Sequence, residues 1–591
     1  MKNRFLIIII SIAALSSCDK FLDLSPTEVL EPKNYYNTTQ ELNRTLNGVY
    51  DILGGIYSYV IPIGLNIGTD EAFFPASGGI GLNINQFEAS DASISGLWNS
   101  LYSGIYRANI LLENIDKSQA DTISKKVIRG EALFLRAYYH FQLVSMFGDI
   151  PMKLESSKSV LDVSQPRTPS NLVYGQIVKD MEEAERLVRT ATEVKTGGHI
   201  SKSAVRGILA RVYLYWSGYP LYANKYDKVL YWAKQVNVDN EHELNPSFRQ
   251  VFINYARDKY DIKESIWEVE FYSPGITTYS EGSRLGNING VQCVSLDSGY
   301  CYGQMNGTAK LFNSYGGKIE YSKDNRRDWV MANYKLTGDA SALRIPVTST
   351  TIYDRNAAKW RREYEPYSNK DKNNTNENFP LLRYSDVLLM IAEADNELNG
   401  PTTVGINAIN AVRERAYKSV KSFVVTSGGS GYTSMPKVVI TGGGGEGATA
   451  TALISGGKVT YIYLTYAGYG YTSTPQVNLI GANGLGAIVT VVLTPMIDAD
   501  LTTVQTANKT VFRQAIQDER MRELCFEGHR RLDLIRWGNY IKQMKDYAFD
   551  VKNIYSLAAI APQNLTDRNV LLPIPASELS VNKMAIQNPG Y

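Results

Sequence analysis

Histidine and cysteine are scarce in this 591-residue chain, with four of each. His140, His199, His242 and His529 form no HExxH, and Cys18, Cys293, Cys301 and Cys525 show neither a CxxC pair nor a zinc spacing. A conventional zinc site or histidine-rich metal centre is therefore excluded, and neither metal nor cofactor is expected. An excess of charge is lacking too. The formal net charge is +2, and without Lys2 and Arg4 the 61 basic residues fall to the same 59 as the acidic ones. No basic field remains to draw in nucleic acid, which needs clustered, unmatched Lys and Arg. Long apolar runs are missing as well. The run Phe5 to Leu15 has eleven residues, whereas a membrane-spanning helix needs roughly 20.

The composition that is present, 44% hydrophobic and 20% charged, is that of an ordinary globular protein long enough for two to four domains. Tyrosine stands out, with 40 Tyr against 17 Phe and 7 Trp. Much of the aromatic surface thus carries a hydroxyl, which suits half-wet contacts with polar ligands or partners. The start, "MKNRFLIIIISIAALSSCDKF", has the layout of a secretory signal, with a basic beginning, a short apolar run and small residues. "LSSC" resembles the lipobox of bacterial lipoproteins, so 1–17 is expected to be a signal peptide and Cys18 the lipidated residue that ties the chain to a membrane. Cys293 and Cys301 could close a small loop in an oxidising compartment, and Cys525 falls within a helical pattern.

The periodic segments read as helices. They are predicted at 38–53, at 92–117 with Trp98 in the core, and from an N-cap at Ser124 to a stop at Gly148. A further helix from Ser201 to Gly218 pairs with "YDKVLYWAKQV", one beginning after Pro380 ends at Asn399 and pairs with "GINAINAVRERA", and a last pair runs from Val511 to Phe526 and on through Arg536. Stacked helix hairpins of this kind resemble tetratricopeptide repeats, although no clean 34-residue period appears. Long irregular stretches at 55–91, 238–310 and 312–379 are rich in Gly, Asn, Tyr and Ser, as a polar binding surface would be. Residues 423–493 differ in kind. They alternate, are Gly-rich and repeat with a period of 39, so that "GSGYTSMPKVVITG" at 429–442 matches "GYGYTSTPQVNLIG" at 468–481. This predicts a small β-repeat insertion whose two units pack on each other.

"LCFEGHRRLDLIRWG", residues 524–538, concentrates Glu527, His529, Arg530, Arg531, Asp533 and Arg536 among apolar residues. Its spacing fits no catalyst. Glu527 and His529 are two apart, where a helical metal motif needs three, and no nucleophile elbow is present. In the preceding helix Phe512, Ile516, Glu519 or Arg520, Glu523 or Leu524, and Glu527 continue one face, so an apolar stripe becomes a charged one. Buried charges need partners. The cluster is therefore expected to be an internal ion-pair network, with Arg520, Arg530, Arg531 and Asp533 as the nearby candidates, and no catalytic residue is assigned.

"ERMRELCFEGHRRLDLIRWG" resembles the C-terminal signature of the SusD/RagB family of nutrient-binding outer-membrane lipoproteins. "CDKFLDLSP", "RGEALFLRAYYHFQLVSMFGDIP", "PLLRYSDVLLMIAEADNELNG" with "INAVRERA", and the ending "LLPIPASELSVNKMAIQNPGY" are similar to other family segments, in the same order. The resemblance implies a mainly α fold, in which tetratricopeptide-like helix pairs form an α-α superhelical scaffold carrying irregular ligand loops. It divides the chain into 18–418, the insertion 419–496 and 497–591. It implies a non-enzymatic receptor, lipid-anchored on the cell outer membrane and facing the cell exterior, that captures oligosaccharides for a SusC-like TonB-dependent transporter. Peptides or another small nutrient are the alternative ligand. A glycoside hydrolase, which needs two carboxylates about 5 to 9.5 Å apart across a cleft, is disfavoured because Asp70 and Glu71 are adjacent. The residue types that recognise sugars, flat aromatics beside carboxylates, amides and guanidinium groups, single out Asn66, Asp70, Glu71, Phe73 and Phe74, and in the later loop Tyr272, Tyr279, Arg284, Tyr300 and Tyr302. Tyr432, Tyr461, Tyr463, Tyr466, Tyr469 and Tyr471 of the insertion offer a second ligand or partner surface.

Overall fold

The computed structural model describes residues 36–159, 163–273, 281–316, 322–337, 343–347, 352–368 and 370–591. The expected signal peptide 1–17, Cys18 and Tyr279 lie outside the described residues. Helices α1 (Thr39–Tyr57), α2 (Ala92–Asn114), α3 (Thr122–Phe147), α4 (Ser170–Leu187), α5 (Lys202–Ser217) and α6 (Tyr226–Gln235) pack successively on one another. The expected N-cap Ser124 is corrected to Asp121, whose carboxylate accepts the Ser124 N–H at 2.9 Å. Every residue from Gly130 to Val144 is buried, since apolar residues run nearly all round α3. Helix α2 can lie this close only because Gly104 faces it, since a Cβ there would sit 2.5 Å from the Tyr139 ring. The sequence reading passed over α4, although Val173, Tyr174, Ile177, Met181 and Ala184 form its buried stripe.

Beyond α6 lies α7 (Phe248–Ala256), and the superhelix resumes with α8 (Tyr384–Asn399), α9 (Thr403–Tyr417) and α10 (Lys509–Leu524), followed by α11 (Arg530–Arg536), α12 (Tyr540–Val551) and α13 (Ser556–Asn564). Two expected boundaries are corrected. The segment after Pro380 is first a strand, and the run from Val511 to Arg536 is broken after Leu524, where Phe526 and Gly528 take positive φ of 64° and 78° and Cys525 lies outside the helix. Short strands stitch the irregular segments together. They are β1 (Ala72–Phe73) with β3 (Asn306–Gly307), β2 (Ser265–Val269) with β6 (Phe379–Arg383), and β4 (Tyr334–Leu336) with β5 (Arg344–Pro346). Cys293 and Cys301 face each other across a β-bridge as free, buried thiols.

The insertion holds β7 (Val420–Ser430), β8 (Lys437–Thr441), β9 (Thr449–Ser455), β10 (Lys458–Tyr466), β11 (Gln476–Ile480) and β12 (Leu485–Leu493). Its register turns the 39-residue period into a local two-fold. Val439 pairs with Asn478, its own equivalent, and the pairs on either side are related by exchanging the units. The outer strands are traded in the same way. Ala452 pairs with Ile462 between β9 and β10, and the equivalent residues Val491 and Phe423 pair between β12 and β7. The equivalent tyrosines Tyr432 and Tyr471 are buried, each against a glycine, Gly484 and Gly445, where a Cβ would strike the ring. The units interlock, and their ends meet where Thr494 N–H donates to Ser419 O at 2.9 Å.

A buried ion network joins the last helices to the loops. Glu523 accepts from Arg326 and Arg383, both at 2.9 Å, and from Arg415. Glu519 accepts from Arg326, Arg413 and Arg522. Glu527 accepts from Lys359 and Arg383, and Glu264 from Arg383 and Arg415. The expected local partners of this acidic stripe are corrected. Arg520 turns to Asp386 and Asp533, Arg530 to Asp70, and Arg531 to the backbone carbonyl of Asn569. Successive helical residues diverge by about 100°, and the break after Leu524 swings α11 away. The stripe therefore meets cations from across the core.

Candidate functional site

Part of the expected ligand set is fully enclosed. Asp70 is paired with Arg530 at 2.7 Å and Lys310 at 2.6 Å, and it also accepts from Gln543. Burial opposes its ionisation, but Arg530 and Lys310 outweigh burial and hold its carboxyl well below the ordinary range. Glu71 accepts the Phe526 N–H at 2.9 Å, and burial pushes its carboxyl up to about 8. Asn66 bonds Ile61 O and the Arg531 N–H, and Phe73 packs edge-on against Tyr353 and Tyr555. All four are at most 2% exposed, so they fix the 66–73 loop to α11 and its surroundings. Phe74, half-buried, is the first side chain of that loop to approach the surface.

Of the later candidates Tyr272 and Arg284 are exposed and Tyr300 and Tyr302 half-buried, on segments bridged through the backbone. Tyr272 pairs with Glu281, Ser283 with Thr375, and Tyr302 N–H donates to Asn287 O at 2.9 Å. Tyr300 and Tyr302 meet edge to face at 4.8 Å. The Lys372 ammonium stands 4.7 Å from the Tyr300 ring, and Tyr302 Oη donates to Asn373 Oδ1 at 3.2 Å. Arg284 is exposed, with its guanidinium 5.6 Å from the Tyr59 ring, and Tyr59 Oη donates to Asn83. Lys372, Asn373, Tyr59 and Asn83 were missed by the sequence reading because lone polar residues in loops carry no periodic signal.

The support beneath this face is built from paired charges. Arg362 is clamped to Glu365 at 2.8 Å and donates to the carbonyls of Tyr300 and Asp371, so the two loops that carry the tyrosines, the lysine and the asparagine share one anchor. Glu377 lies close by, its carboxyl pushed up to about 8 by burial and then by Glu365. Rings presented beside an ammonium, a guanidinium and an amide can stack on C–H faces while bonding hydroxyl edges. Among the described residues no group of three or more His, Cys, Asp or Glu could hold a metal, and no helix is long and apolar enough to cross a membrane.

Comparison with known proteins agrees with this architecture. A family model described as "Starch-binding associating with outer membrane" matches residues 20–214, and one described as "SusD family" matches 263–427 and 495–591, leaving out most of the insertion. SusD-like protein P25 of Formosa agariphila is 24% identical, over 100% of this chain and 99% of its own length. A SusD homologue from Bacteroides thetaiotaomicron superposes with a TM-score of 0.77 at 26% identity, covering 95% of this chain and 99% of that one. A laminarin-binding SusD-like protein superposes with a TM-score of 0.62 at 20% identity, covering 94% and 100%.

Proposed function

We propose, for a chain that belongs to the SusD/RagB family, that it is a receptor capturing oligosaccharides on the cell surface without transforming them. The observation that carries this reading is the pair of half-buried rings Tyr300 and Tyr302 beside Lys372 and Asn373, anchored from below by Arg362, with Tyr272 and Arg284 exposed on the preceding segment. The laminarin-binding relative supports a glycan as the ligand class. The burial of Asp70 and Glu71, one locked in ion pairs and the other kept neutral, supports a binder over a hydrolase, since neither offers a carboxylate to a cleft. Anchoring through an acylated Cys18 and delivery to a SusC-like TonB-dependent barrel complete the proposal.

Titration of the full chain with neutral oligosaccharides of several linkages tests it. Saturable binding without product release, weakened by Tyr300→Ala with Tyr302→Ala, is expected. Release of shorter sugars, or binding indifferent to both tyrosines, would overturn the reading. Fatty-acid labelling lost in Cys18→Ala and co-purification with an outer-membrane barrel test anchoring and partner separately.

A further inference from the structure

A cavity of about 560 Å³ opens where the insertion meets the helical body, lined by α7, by the Asp328–Tyr334 segment, and by Glu446, Gly447, Tyr466 and Tyr469 of the insertion. Its walls form a continuous ladder of rings and guanidinium groups. Arg249 lies 3.7 Å from the Tyr469 ring and 4.7 Å from that of Trp329, Trp329 is 5.8 Å from Tyr364, and Arg257 is 5.8 Å from Tyr364. Arg361 and Arg344 complete the wall, against Trp329 and Tyr334.

The cations differ in how far they are already committed. Arg361 spends its donors on Tyr334 Oη and on the carbonyls of Ala358, Asp328 and Trp329, and Arg344 pairs with Glu363 at 3.4 Å. Of the cavity's carboxylates Asp328 is paired with Arg327 and Arg355, while Glu446 accepts from the neutral Tyr469 hydroxyl at 2.6 Å and keeps one negative charge in the lining. Arg249 and Arg257 form no ion pair among the described residues. Two buried donors in the lining, Arg249 Nε and Trp329 Nε1, bond no acceptor among the described residues. Half-buried Arg249 and exposed Arg257 against the single charge of Glu446 leave the lining with an excess of positive charge beside two unfilled buried donors, which suits an anion.

The internal repeat gives an independent observation. By the 39-residue period Glu446, Tyr466 and Tyr469 correspond to Leu485, Ser427 and Ser430. The interlocked fold needs none of the three, since the other unit builds the same strands without them. The two-fold is broken at the edge that faces the cavity, where two serines are exchanged for tyrosines.

We propose that this junction is a second binding site, specific for a sugar carrying a carboxylate or sulfate group, with Arg249 and Arg257 taking the anion and Tyr364 and Tyr466, the half-buried rings of the lining, flanking the sugar. The sugar part of this assignment rests on the receptor reading above; the demand for an anion does not. The test titrates the full chain with an oligogalacturonate, a sulfated galactan oligosaccharide and a neutral glucan oligosaccharide. Wild type is expected to bind at least one anionic probe, with affinity falling as salt rises from 0.05 to 0.5 M. Arg249→Gln with Arg257→Gln is expected to lose roughly tenfold or more, as for two charge-assisted bonds, while binding of the neutral probe at the tyrosine face is unchanged.

Arg257→Gln alone, at an exposed position, should weaken anionic binding without moving the melting temperature, which separates ligand loss from loosening of the insertion. Binding of the carboxylated probe alone assigns a uronic acid, and of the sulfated probe alone a sulfate ester. No saturable binding of either anion, or anion binding unaltered in the double variant, overturns the inference. Retained neutral-glucan binding in that outcome would leave the receptor reading standing, whereas anion binding without any neutral binding would refute the assignment of the tyrosine face and leave the second site standing.

Discussion

Replacing Glu523 by glutamine removes one negative charge and little volume from a point where three guanidinium groups converge. The side chain is 0% exposed and accepts from Arg326, Arg383 and Arg415. Burial pushes its carboxyl up, but Arg415, Arg383 and Arg326 together outweigh burial and hold it at about 2, against 4.5 for a free glutamate. That depression is worth about 3 kcal/mol at neutral pH. Breaking one side of a buried ion pair costs about 3 to 5 kcal/mol, so two routes agree. The sign follows from the lowered value. The stabilisation is fully present above pH 4.5 and is lost as pH falls through 2, so the variant's deficit should shrink on acidification. Melting followed by near-ultraviolet circular dichroism at pH 7 and pH 3 measures it, with Asp546→Asn as control. Asp546 pairs with Lys542 at the surface, with side chains 62% and 81% exposed, where less than about 1 kcal/mol is at stake. If Glu523→Gln melts within a degree of the control at pH 7, or its deficit grows towards pH 3, the network is not organised as described.

Glu71 should respond in the opposite sense. Burial raises its carboxyl to about 8, so its contribution is intact below pH 4.5 and is lost as pH rises through 8. Glu71→Gln, which can still accept the Phe526 N–H, is expected to match wild type near pH 4.5 and to melt higher at pH 8.5; an equal difference at both would contradict the assignment. Tyr300→Ala with Tyr302→Ala should reduce glycan affinity roughly tenfold, since each stacked ring contributes about 0.5 to 1.5 kcal/mol, while the melting temperature stays within about 2 °C of wild type. Deleting 420–493 and joining Ser419 to Thr494, whose hydroxyls lie 3.1 Å apart, should leave a folded helical body; a product without cooperative melting would show that the body depends on the insertion.

The helical frame was legible wherever apolar periodicity was dense, as in α3, and illegible where tertiary pairing overrode local pattern. Residues 379–383 look like the start of a helix until β2 is there to pair with them. The β-repeat was legible because a 39-residue period survives in the letters, but the strand exchange was not, since a period says nothing about which copies pair. The site separated in a similar way. An Asp or Tyr in a long loop reads alike whether it faces water or the core. Asp70 proved to be the anchor of Arg530, whereas Tyr300 and Tyr302 reached the surface.

The same physics explains why so neutral a protein buries so many arginines. A scaffold that carries long irregular segments leaves carbonyls inside with no helix or sheet partner, and each must find a donor. Arginine supplies five N–H donors and no acceptor. Arg361 bonds the carbonyls of Ala358, Asp328 and Trp329, Arg362 those of Tyr300 and Asp371, and Arg531 that of Asn569, while Lys359 closes the end of α10 at Glu523 and Cys525. Carboxylates balance several of the buried cations, Glu365 for Arg362 and the stripe of Glu519, Glu523 and Glu527 for Lys359, Arg326 and Arg383. The charges are thus a device for making loops rigid without secondary structure.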